Sequence, residues 1–259
     1  MQVTSLARFQ EAAEQLVHQW TPKGVDWYLQ PWFRGHGNVA WSLEPGWYRL
    51  SGWVEGVGAE YYSEATLLET FKLRAPNYLE RLPVTDWEWL FLMQHYGLPT
   101  RLLDWTQSSL IALYFALRDN AGGVDAAVWA MNPWWLNRET FGEYLLFPAD
   151  DARAAGHAPL QSGQELKAQL PLAITPIHAN QRITAQRGVF TIHGAERGAL
   201  DRLARRGGKE RPCLRRMVIP AACVAHIRRE LAIAGISESL IFPELSGLCR
   251  EIKTDFFGG

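Results

Sequence analysis

Three short stretches of this chain concentrate residues able to do chemistry. The first, Phe33-Arg34-Gly35-His36-Gly37-Asn38, closes a strand-like run on an arginine followed by two glycines. A guanidinium at a strand end, beside residues that let backbone approach closely, suits an anion or a phosphate. A Gly-rich turn with an arginine lying along the surface is the plainer use of the same residues. The second stretch runs from Gln94 to Ser109 and packs His95, Tyr96, Arg101, Asp104, Trp105, Thr106, Ser108 and Ser109 into a break between two apolar helical patterns. Arg101 and Asp104 can face a ligand there, or pair and tie the two helix ends together. In the third, Arg182 and Gln186 share a helix face if the segment is helical, whereas an extended segment would align Arg182, Thr184 and Gln186. Either geometry makes a converging polar set; a solvated strand edge is the alternative.

The elements around these stretches decide whether they can meet. Thr85-Asp86-Trp87-Glu88 reads as a capping box that starts a helix, with Trp87, Leu90, Phe91 and Gln94 at helical spacing and Gly97 and Pro99 ending it. A polar hinge with Thr100, Arg101, Asp104 and Thr106 follows. Ser108 then caps SLIALYFAL, apolar nearly all round as a helix buried against a sheet would be. Leu6, Phe9, Ala13, Leu16, Val17 and Trp20 form one helical stripe. Residues 60–80 form another helix, with Tyr61, Leu67, Leu68, Phe71 and Leu73 buried and Glu64, Glu69 and Lys72 on its solvated side. Strands are expected at Trp27 to Arg34, where Pro31 suggests an edge or a bend, and at 126–131, 189–192 and 217–219. Helices are expected from Ala221 to Ala234 and from Ser237 through Leu248, interrupted by Pro243. Trp41 to Val57 reads as a loop that folds over something, and Trp134 to Gln169 as a surface insertion or lid. With no repeat or linker, residues 1–259 read as a single compact α+β domain, a mixed or antiparallel sheet flanked by helices.

Composition narrows the function classes. With 47% hydrophobic and 20% charged residues this is neither a disordered nor a fibrous chain. A formal net charge of −1 gives no global basic field for nucleic acid. One local cluster, Arg202 to Arg216 with seven basic residues, can meet phosphates, or can be a solvated loop centred on Gly207-Gly208. Among the twelve tryptophans, Trp20, Trp27, Trp32, Trp41, Trp47 and Trp53 crowd the first quarter, mostly as core, with rings near a polar cleft able to stack a base. Three widely spaced cysteines, no signal-peptide pattern and no long apolar run imply a reduced cytoplasmic protein without a membrane partner. No HxH, HExxH or Asp-rich spacing supports a metal site, which disfavours a metal-dependent nuclease or hydrolase.

Taken together, these stretches resemble the FRG domain family, named for its Phe-Arg-Gly motif. The likeness runs through Phe33-Arg34-Gly35, the block from Gln94 to Thr106, Ala112-Leu113-Tyr114-Phe115-Ala116, Arg182-Ile183 with Gln186 to Phe190, and Gly235-Ile236 with Phe242-Pro243-Glu244-Leu245, covering about residues 28 to 248. Such domains occur in bacteria and their phages, in settings suggestive of toxins or antiviral defence, which implies an antitoxin or defence-system partner. A weaker likeness connects the chain to ADP-ribosyltransferases, in which an aromatic-Arg-Gly strand holds NAD, a Ser/Thr-rich strand leads into an apolar helix, and a late glutamate orients the ribose. This second resemblance implies an ADP-ribosyltransferase-like fold and NAD as substrate, with a macromolecular acceptor, protein or nucleic acid. It implies that Arg34 and Arg101 neutralise the diphosphate, that Gly35, Thr106 and Ser108 line the NAD site, and that Tyr96 or Trp105 stacks the nicotinamide. Gln186 stands where the glutamate would align. It can bond a ribose hydroxyl but carries no charge, so Asp104 becomes the candidate acid and His95 the candidate base. The alternative is a non-catalytic sensor that binds a nucleotide or a phage component.

Overall fold

The computed structural model describes residues 1–50, 63–118, 120, 122–161, 164–177, 181–204 and 213–257. Seven strands form one sheet: β1 (Trp32–His36), β2 (Leu102–Thr106), β3 (Ala126–Met131), β4 (Phe147–Pro148), β5 (Leu172–Thr175), β6 (Gly188–Ile192) and β7 (Leu214–Ile219). Their spatial order is β4-β5-β6-β2-β1-β3-β7, antiparallel throughout except for the parallel pair β4 and β5. The described helices are α1 (Leu6–Trp20), α2 (Gly46–Leu50), α3 (Glu64–Arg74), α4 (Asp86–His95), α5 (Ser109–Arg118), α6 (Pro133–Phe141), α7 (Gln181–Ala185), α8 (Leu200–Leu203), α9 (Ala221–Ile233), α10 (Glu238–Ile241) and α11 (Leu245–Phe257). The α+β reading holds.

Both faces of the sheet are covered over β3, which is buried along its whole length. In β3, Ala126, Val128 and Ala130 join a core with Phe9 and Leu16 of α1, Leu113 and Leu117 of α5 and Ile227 of α9. Trp129 and Met131 point into the opposite core with Trp32, Leu103, Trp105 and Leu136. A third core gathers Leu90 and Phe91 of α4 with Leu102, Leu172, Phe190 and Ile192. Helix α5 seats directly on β1. A Cβ on Gly35 would lie 2.0 Å from the Ala112 carbonyl oxygen, so the glycine permits this approach of helix to strand.

Several expectations are corrected. The hinge after Pro99 is a strand: β2 lies at the centre of the sheet, its Leu102 turned into one core and its Leu103 and Trp105 into another. A five-residue strand with Asp104 and Thr106 in it has the composition of a loop. The first strand starts at Trp32 rather than Trp27, after Pro31, which has no N–H to give a ladder. Glu64 is buried, at 3% exposure, whereas Leu73 is exposed at 81%. The described residues between 134 and 169 are no lid. Phe147, Ala149 and Ala154 are fully packed against the β5–β6 side of the sheet. Pro243 separates two helices, and the second, α11, runs on to Phe257. Trp53, Tyr61, Asn180, Gly207-Gly208 and the cluster members Arg205, Arg206, Lys209 and Arg211 lie outside the described residues. No described helix is long and apolar enough to cross a membrane.

Candidate functional site

The site arises from a break in the sheet. Strand β1 is in register with β3 at five residue pairs, and β2 with β6 at five, but β1 and β2 meet only at Phe33 and Thr106. Past that pair the two central strands part, and a cleft of ≈ 320 Å³ opens along the divide. Parting leaves backbone groups that a ladder would otherwise satisfy. Arg34 reaches across: its Nη1 donates to the Asp104 carbonyl oxygen at 2.6 Å and its Nε to His36 Nε2 at 3.2 Å. Burial pushes the Arg34 pKa down, with the Asp104 charge opposing that shift. His36 is held down to about 3 by burial and by the adjacent Arg34 charge, and stays neutral.

Asp104 projects its carboxylate into this cleft with the side chain 55% exposed. Gln94 Nε2, from the end of α4, donates to Asp104 Oδ2 at 2.7 Å, and Arg34 Nη1 stands 3.7 Å from the same oxygen. The glutamine is itself oriented, because Thr100 Oγ1 donates to its Oε1 at 2.6 Å and leaves the NH₂ end for Asp104. His95, next along α4, has its pKa lowered by burial first and by Arg182 second, against Glu244 and Asp104; it is neutral at pH 7. On the far wall, α7 presents Arg182 and leads to Gln186. The Gln186 side chain donates to the Ile241 carbonyl at 3.3 Å, and the Gln186 backbone carbonyl accepts from Thr106 Oγ1 at 2.7 Å. The loop before α2 closes the rim with Trp41 and Glu44, and α2 adds Arg49. Trp41 is half exposed, edge-on to His36 at 6.1 Å.

Of the residues the sequence nominated, Arg34, Gly35, His95, Asp104, Thr106 and Gln186 line the cleft, together with Trp105. Three do not, and the reasons differ. Arg101 is 2% exposed, its Nε donating to Glu64 Oε2 at 2.7 Å and its other nitrogens to the carbonyls of His193, His157 and Ala158. No donor faces a ligand, so its expected diphosphate role is corrected to a structural one. Tyr96 lies outside the lining, 67% exposed, where Gly97 in the left-handed region turns the chain away. Ser108 Oγ accepts the Ile111 N–H at 3.4 Å, as a helix cap. Trp105 is 3% exposed with its Nε1 donating to Thr191 Oγ1, so it offers no stacking face. Sequence reasoning missed Glu44, Arg49 and Gln94, and named Trp41 only among the tryptophans able to stack a base. Gln94 carried a readable signal, a lone amide inside an apolar helical stripe; Glu44 and Arg49 sit in a connector with no periodicity. Among the described residues no cluster of three or more His, Cys, Asp or Glu side chains is arranged to hold a metal ion.

Comparison with known proteins adds one finding. Residues 30–123 match the family model described as FRG domain, which spans the Arg34 strand, α4, β2 and α5 but not the Arg182 segment. Neither the curated proteins nor the solved structures contain a match to this chain.

Proposed function

This chain carries an FRG domain, and from that premise we propose that its cleft cleaves NAD as a substrate and transfers the ADP-ribosyl group to a macromolecule, protein or nucleic acid. One observation carries the reading: Asp104 is a half-exposed carboxylate fixed by Gln94 and flanked by Arg34 inside the split between β1 and β2. In a dissociative cleavage the bond from the ribose C1′ to the nicotinamide nitrogen breaks and its electron pair leaves with nicotinamide. Positive charge then grows on the ribose ring, where a fixed carboxylate stabilises it. The acceptor oxygen or nitrogen bonds to C1′ and gives up its proton to His95, which is neutral and able to take it. Trp41 offers the exposed ring against which nicotinamide can stack. A cleft of ≈ 320 Å³ is at the small end of ligand pockets, suited to the nicotinamide and ribosyl phosphate end of NAD rather than the whole molecule. Modification of a macromolecule is the use such chemistry would have in a toxin or in defence against phage.

The test is nicotinamide release and transfer from labelled NAD. The variant Asp104→Asn should abolish both while unfolding at the same temperature as the parent chain. Full transfer by that variant would remove Asp104 from the reaction. A second reading, a nucleotide-binding sensor without turnover, draws support from Gln186, which has no charge and whose amide is already engaged by Ile241. Calorimetry with NAD, followed by mass spectrometry of the same sample, separates the two: heat of binding with intact NAD favours the sensor.

A further inference from the structure

We propose that Arg182 is the phosphate-binding residue of the cleft, so that a ribosyl diphosphate lies with its charged group at α7 and its sugar at Asp104. This deepens the reading above and rests on it only for the identity of the substrate. Four arginines bear on the question. Arg101 is sealed by Glu64 and three carbonyls. Arg34 has Nη1 and Nε committed to the Asp104 carbonyl and His36, bridging the parted strands. Arg49 is exposed at the rim, where solvent screens it. Arg182 is half-buried in the lining and donates no hydrogen bond to any described residue, nor does it have a carboxylate within salt-bridge distance among them.

The geometry holds Arg182 in place without consuming its donors. Its guanidinium lies over the Phe242 ring, 4.8 Å from the centroid, and Phe242 is itself 4% exposed and packed with Ile111 and Ile241. The Gln186 side chain, one turn further on, bonds Ile241 and fixes α7 against α10. Glu244 and Asp104 are the opposite charges that bear on Arg182, neither at salt-bridge distance, while Arg118 and Arg250 are paired to Glu238. Arginine cannot lose its charge by deprotonation. A planar donor fork with no hydrogen bond to a described residue, in a cleft where Arg34 is engaged and Arg49 faces solvent, matches a phosphate.

Calorimetric titration of the full chain with ADP-ribose and with nicotinamide riboside, which lacks phosphate, tests this. In Arg182→Gln the affinity for ADP-ribose should fall about tenfold to a hundredfold, the range for a lost charge-assisted hydrogen bond. Nicotinamide riboside should bind both proteins alike, and Arg182→Lys should recover part of the ADP-ribose affinity as a point charge. Equal weakening of both ligands, unchanged ADP-ribose binding, or no ADP-ribose binding by the parent chain would each overturn the assignment. If ADP-ribose binding depends on Arg182 while NAD stays intact, the phosphate site stands and transfer does not; if NAD is cleaved equally by parent and variant, the reverse holds.

Discussion

Two arginine–carboxylate pairs meet at β2 and its approach, from positions only three residues apart, and they are built in opposite ways. Arg101 holds Glu64 at 2.7 Å with both side chains 2% exposed, and carbonyls of three further residues close around the guanidinium. Arg34 stands 3.7 Å from Asp104, whose side chain is 55% exposed and whose other neighbour is a glutamine amide. The first pair is sealed from solvent, although Glu64 Oε1 has no hydrogen-bond partner, and the second is open to it. A charge buried against its partner can hold elements together but has nothing to offer a substrate, whereas Asp104 keeps a solvent-facing edge. The sheet produces this difference. Arg101 lies where β2 enters its full ladder with β6, and Asp104 lies where β2 parts from β1.

The largest effect should come from breaking the sealed pair. Removing Arg101 by Arg101→Met leaves Glu64 charged in a dry interior, which costs about 3–5 kcal/mol for a buried pair. Urea unfolding should record that loss, and the double variant Arg101→Met with Glu64→Leu should regain much of it. If Arg101→Met unfolds at the parent's urea concentration, the sealed pair is no clamp and the contrast with Arg34 fails.

Acid should attack the sealed side next. His157 and His193, whose carbonyls hold Arg101, have pKa values pushed down to about 4 and about 3, and His36 beside Arg34 is held at about 3, all chiefly by burial. Each binds its proton more weakly when folded than in the unfolded chain, where the value is about 6.5. The unfolded state thus holds more protons below that pH, so the stabilisation is full above it and falls away between 6.5 and about 3. Each histidine contributes a slope of up to about 1.4 kcal/mol per pH unit in this window. Melting temperatures taken from pH 7 to pH 4 should fall steeply, and His193→Asn should flatten the curve by removing one of the contributing histidines. A curve level down to pH 4 would mean that these side chains reach solvent.

Much of the scaffold was legible in the sequence because periodicity reports burial. The α1 stripe, the Thr85–Glu88 cap, the apolar α5 and the run Ala126–Met131 all carry their partners' geometry in their own spacing. The site was legible in part. Arg34, His95, Asp104 and Gln186 were placed together because residue type and resemblance pointed the same way. Arg101 misled, since a guanidinium destined for a buried glutamate has the same letter and neighbourhood as one that greets a phosphate. Its partner Glu64, alone on a helix face among Glu69 and Lys72, looked solvated for the same reason. The parting of β1 from β2 could not be read at all. It is a relation between strands about seventy residues apart, set by how α5 seats on Gly35 and how Arg34 spans the gap, and no local pattern encodes it.

The smallest effect is the most discriminating. A double-mutant cycle with Arg34→Ala and Asp104→Asn isolates the side-chain coupling from the bond that Arg34 makes to the Asp104 carbonyl, because that bond is lost whenever Arg34 is truncated, whichever residue occupies position 104. Arg34→Ala alone should cost about 1–3 kcal/mol, since it strips a partner from a backbone carbonyl at the seam. The coupling term should be below about 1 kcal/mol and shrink further at high salt, as for an exposed pair at long range. The same cycle on Arg101 and Glu64 should give a coupling several times larger and indifferent to salt, because water and counterions do not reach it. Couplings of equal size and equal salt response would erase the distinction between the sealed and the open pair, and with it the reason to place chemistry at Asp104.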